Sequence, residues 1–111
     1  MRKILEELKK LDPKTFELLE DISIGIHGYG ILKNPNIRTI GHIIQGEVQK
    51  AIEARQWLWT VTKEDSWSDE AKAGTPYQAI IFNENIDCMV DRIFADSPAK
   101  AILTAYIRSL T

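Results

Sequence analysis

The stretch best equipped for chemistry joins a glycine-rich segment to the residues after it: His27, Gly28, Tyr29, Gly30 and Lys33, then Asn36, Arg38, Thr39 and His42. If a helix starts near Pro35, its unpaired backbone N–H groups and positive dipole end favour an anion. Glycines admit a ligand close to the backbone, and Lys33 and Arg38 add charge. Tyr29 or His27 offers a ring for stacking, and His42 lies one turn beyond Arg38. The set predicts a modest pocket for a phosphate or nucleotide. The same residues also fit a plain turn with positive φ at the glycines, Tyr29 in the core and Arg38 in solvent. Neither a Walker-type nor a dinucleotide fingerprint follows the Gly-x-Gly fragment.

A second constellation is acidic. Glu84, Asp87 and Asp91 fall at i, i+3 and i+7, so a helix there carries three carboxylates on one face. Two such helices can hold Mg²⁺ for nucleotide hydrolysis. Glu84-x-x-Asp87 resembles half of the acidic signature of all-α nucleoside-triphosphate pyrophosphatases. The other half, a paired-glutamate helix, is missing: Glu47 and Glu53 are six apart and on different faces. A solvated face is the competing reading, and neither a metal nor a cofactor is expected. Cys88, among Ile86, Met89 and Val90, reads as a small buried apolar residue. His27 and His42 are the only histidines, too few for a Cys/His zinc site. With no complete catalytic set, binding outranks catalysis.

The elements that position these residues read as helices. Each of the four prolines directly follows a good N-cap: Asp12-Pro13, Asn34-Pro35, Thr75-Pro76 and Ser97-Pro98. Helices are therefore expected over 2–11, from Pro13 to about Asp21, from Pro35, from Pro76 to about Phe94, and from Pro98. Residues 22–34 form a glycine loop or a short strand. Trp67, in the polar connection 64–75, is expected to fold back as a core plug. Residues 79–82, Ala-Ile-Ile-Phe, are β-prone. The expected fold class is all-α, a small bundle of four to five helices in one domain.

The bundle is expected to be arranged around one long central helix over 35–63. Ile37, Ile40, Ile44, Val48, Ala51, Leu58 and Val61 recur at helical spacing. Such a helix is about 40 Å long, against an expected domain diameter of about 26–28 Å. Gly41 and Gly46 mark its weak points. Trp57 and Trp59, about 200° apart on a helix, would serve two packing surfaces, one of them a partner interface. This predicts a homo-oligomer. Within the helix, Glu53, Ala54 and Trp57 form a Glu-Ala-x-x-Trp pattern similar to the C-terminal helix of a phage helical-hairpin family. That resemblance implies an oligomeric anti-defence protein that sequesters cyclic nucleotide signals without cleaving them. The chain departs from the family in the long segment after Trp57 and in the glycine loop.

Composition closes several classes. The 111 residues are 44% apolar and 27% charged, with a formal net charge of −2 in mixed signs. That suits one soluble domain and disfavours a nucleic-acid partner. One cysteine fits a reducing compartment. Residues 1–11 lack signal-peptide character and no apolar run spans a membrane, so the expected location is the cytoplasm. The function expected is sequestration of a small phosphorylated ligand at the glycine-loop and helix junction. The alternatives are a protein–protein inhibitor or adaptor and, third, a Mg²⁺-dependent nucleotide pyrophosphatase.

Overall fold

Helix α5 (Pro98–Leu110) is the element on which the others pack, and its sequence explains why. It is apolar almost all round, burying Ala99, Ala101, Ile102, Leu103, Ala105, Tyr106 and Ile107, the pattern of a helix enclosed on every side. In this computed structural model the described residues are 1–85 and 88–111, with Asp91 described by its backbone alone. The preceding elements are α1 (Arg2–Leu11), α2 (Pro13–His27), α3 (Arg38–Ala54), β1 (Leu58–Lys63), the short α4 (Asp69–Lys72), β2 (Tyr77–Phe82) and β3 (Cys88–Ala95). Among the described residues the strands form one antiparallel sheet in the order β1-β2-β3. Helix α5 packs on all three strands, on α3 and on α1.

The all-α helical bundle is thus corrected to a mixed α/β fold, and the long helix over 35–63 is overturned at both ends. At its start, Asn34-Pro35 does not cap it. Helix α3 begins at Arg38 behind Ile37, whose side chain makes no capping bond. At its end, α3 stops at Ala54. The Trp57 N–H donates to the Ile52 carbonyl at 3.2 Å and the Gln56 N–H to that of Glu53 at 2.9 Å, with Gln56 left-handed at φ 63°. This is the Schellman closure that glycine usually provides. The Glu-Ala-x-x-Trp stretch therefore crosses the end of a helix. Trp57, Trp59 and Val61 all pack against the core. Side chains two apart share a face of an extended chain, so the tryptophans do not point to opposite surfaces.

The helix expected from Pro76 is likewise a hairpin, β2 and β3. Thr75-Pro76 precedes a strand because the apolar run pairs with β1, from Leu58↔Phe82 to Lys63↔Tyr77, and with β3, from Tyr77↔Ala95 to Phe82↔Cys88. A bulge sets Asp91 and Arg92 opposite Ile80, with Arg92 at φ 49°. Cys88 is exposed rather than buried, and Trp67 is 72% exposed rather than a core plug. Helix α2 continues past Asp21 to His27 and is ended by left-handed Gly28. The starts at Pro13 and Pro98 stand as expected, each with its cap: Asp12 accepts from the Thr15 N–H, and Ser97 from that of Lys100.

Candidate functional site

The residues expected to form one pocket divide into two groups around the first turn of α3. On one side the loop closes on itself. The His27 and Tyr29 rings stack at 5.5 Å, Lys33 lies over Tyr29 at 5.2 Å, and His27 Nε2 hydrogen-bonds with Thr39 Oγ1 at 3.1 Å. The Ser23 hydroxyl donates to the Tyr29 carbonyl, and Arg2 Nε to that of Leu32. Gly28 is the α2 cap, while the Glu20 carboxylate lies over Gly30, where a Cβ would meet it. These contacts position the loop and leave its rings engaged with one another.

On the other side Arg38 and His42 line a cleft of about 500 Å³ with Gln45, Tyr77, Asp96 and Lys100. It forms because α3 and α5 run close together: a Cβ on Gly41 would stand 3.7 Å from that of Ala99. Both helices therefore present their N-terminal turns to the same space. The α5 turn is largely satisfied, with Pro98 lacking an N–H and Ser97 accepting from Lys100, which leaves the Ala99 N–H. The α3 turn is not, since Ile37 provides no side-chain acceptor and the first turn carries no acidic residue. Three backbone donors, those of Arg38, Thr39 and Ile40, have no intrahelical partner at this positive dipole end, and Arg38 of these lines the cleft. Arg38 and Lys100 add full charges, and Asp96 is the opposing carboxylate.

Gln45 was open to sequence reading, being one turn beyond His42 on the same helical face. Tyr77, Asp96 and Lys100 reach the cleft only through the packing of α5 and β2, for which the sequence carries no local signal. Among the described residues no helix carries the acidic face, since β3 begins at Cys88. Glu84 lies in the β2–β3 turn, Asp87 falls outside the described residues, and Asp91 belongs to β3 with its side chain also outside them. Among the described residues no group of three or more His, Cys, Asp or Glu side chains is arranged to hold a metal, and no helix is long and apolar enough to cross a membrane.

The polar cluster with the clearest electrostatic signature lies at the opposite end of α3. Burial acts to raise the Asp12 carboxyl, but hydrogen bonds from Thr15 and Tyr106 outweigh it and hold the group below its usual value. Burial and the bond to Asp12 push the Tyr106 hydroxyl up. Sequence reading missed Tyr106 as a polar hub because its spacing is that of a core residue. No family model matches the chain, and no curated protein or solved structure matches it either.

Proposed function

We propose that the protein is a non-enzymatic binding module that sequesters a small phosphorylated, nucleotide-like ligand in the cleft between α3 and α5. The observation that carries this reading is the uncapped first turn of α3 opening, beside Arg38, His42 and Lys100, into a cavity of about 500 Å³. That volume suits a small molecule. The phosphate would take the free N–H groups and the Arg38 fork. The Tyr77 ring offers a stacking surface, and Asp96 would accept from a base or sugar donor. His27, Tyr29, Lys33 and Thr39 hold the loop behind this turn.

Thermal denaturation against a nucleotide panel tests the proposal, because a ligand that binds only the folded state raises the melting temperature. A saturable rise that Arg38→Ala reduces is expected. Native mass spectrometry of the protein as purified would reveal a carried ligand and the oligomer order together. A protein that emerges bare and stays bare, with no melting shift across the panel, would sink this reading.

A second reading, an adaptor acting on another protein, is favoured by the sheet face turned away from the helices. Leu58, Ile80, Phe82 and Phe94 share it with Thr60, Thr62 and Gln78, and Leu58 is 48% exposed. A pull-down that recovers a stable complex lost in Phe82→Ser would support it.

A further inference from the structure

A separate cavity of about 390 Å³ lies at the C-terminal end of α3, where Lys14, Leu18, Ala51, Ala54 and Arg55 meet Asp12 and Tyr106. Its main feature is an arginine fixed in advance. Arg55 Nε donates to the Tyr106 hydroxyl at 3.2 Å. That hydroxyl donates onward to Asp12 Oδ2 at 2.5 Å. The guanidinium carbon lies 5.4 Å from the Trp57 ring centroid and 5.9 Å from that of Tyr106. Two rings and one hydrogen bond therefore set the plane of the guanidinium.

Among the described residues Arg55 makes no direct ion pair and acts on Asp12 through space. Asp12 already accepts from the Thr15 N–H at 3.3 Å, the Thr15 hydroxyl at 2.6 Å and the Tyr106 hydroxyl. Glu47 is engaged by Lys50 at 3.2 Å, the ion pair found among the described residues. Arg55 thus keeps its two Nη groups, the parallel donors that match the two oxygens of a carboxylate. The wall also carries an apolar strip of Ala51, Ala54 and a 47%-exposed Leu18, with the Glu47–Lys50 pair beside it. The first turn of α2, capped by Asp12, brings Lys14 and Thr15 to the rim.

We propose that this cavity binds a small organic carboxylate with an apolar body. The Arg55 fork holds the carboxylate, and the body lies along Leu18, Ala51 and Ala54. The site is independent of the α3–α5 cleft.

Titration of the isotope-labelled chain with hexanoate, followed by NMR, tests it. Saturable shifts are expected at the Ala51 and Arg55 amides and at the Trp57 indole N–H, with no dependence on Arg38. Arg55→Lys keeps the charge but loses the fork, and should weaken hexanoate at least about tenfold. Leu18→Ser, at an exposed position, should weaken hexanoate while leaving acetate unchanged; it decides the matter even if the Arg55 variant folds poorly. Absence of saturation, equal affinity in Arg55→Lys, or inorganic phosphate binding as tightly as hexanoate would each overturn the proposal.

Discussion

The two ends of α3 solve the same problem, unsatisfied backbone groups, in opposite ways. At the C-terminal end the chain closes on its own carbonyls. The last carbonyls are closed by Gln56 and Trp57, and Arg55, Tyr106 and Asp12 form a continuous chain of bonds. At the N-terminal end the donors are left open and the side chains beside them, Arg38 and His42, are exposed. The first arrangement contributes stability and holds a group ready. The second gives up roughly 1 kcal/mol of capping energy and leaves a place where an anion can supply what Ile37 does not.

The largest effect should come from cutting the closed end. Tyr106→Phe keeps the ring but strips Asp12 of a donor and Arg55 of its anchor, and should cost about 2 kcal/mol in urea denaturation, as expected for a bond to a charged group. A loss under about 0.5 kcal/mol would mean that the cluster is incidental.

The same cluster predicts the pH profile. The Asp12 pKa is lower in the folded chain, so its contribution is complete above the usual value of 3.8 and disappears as pH falls through the lower folded value. The Tyr106 pKa is raised, so its contribution holds below the usual 10.0 and disappears as pH climbs through the folded value. Urea midpoints should be flat between those limits as far as this pair is concerned. Tyr106→Phe should remove the alkaline limb and soften the acid one.

Ile37→Asp sharpens the contrast most directly. Ile37 already has extended backbone at φ −69° and ψ 139°, which suits an N-cap, so a carboxylate there should stabilise the fold by about 1 kcal/mol. The same change should abolish ligand-induced melting shifts, because the carboxylate occupies the donors the ligand needs. Gain of stability with retained ligand response would separate the cleft from the helix end. Gln56→Gly relieves a left-handed side chain and should add less than about 1 kcal/mol, read from the urea midpoint. Smallest of all, Arg38→Ala should leave stability within about 0.5 kcal/mol while reducing ligand binding.

Where sequence and structure part company, the reason lies in the range of the signal. Helix α2 ends at Gly28, a residue whose type announces a left-handed cap. Helix α3 stops at Ala54 and is closed by Gln56, which adopts the same conformation without announcing it, so the apolar spacing of Ile44, Val48 and Ala51 runs on through Leu58 and Val61 with no stop signal. Asp12-Pro13 and Ser97-Pro98 start helices as they should. Asn34-Pro35 and Thr75-Pro76 have the same composition but do not. The candidate site was legible at Arg38, Thr39 and His42, which lie on one turn, but the division that leaves Thr39 with His27 and Arg38 with Lys100 was not.

The sequence by itself determined the local features: α1, the capped starts of α2 and α5, and the apolar face of α3. In each, a side chain satisfies or buries groups a few residues away. Only the tertiary structure decided that 58–63, 77–82 and 88–95 are strands and that α5 is the centre. It alone joined Arg38 to Lys100 and Asp12 to Tyr106 and Arg55. Residues 77–82 can bury their apolar side chains as helix or as strand. Which state wins depends on hydrogen bonds to β1 and β3 and on the α5 face beneath them, partners that no local window contains.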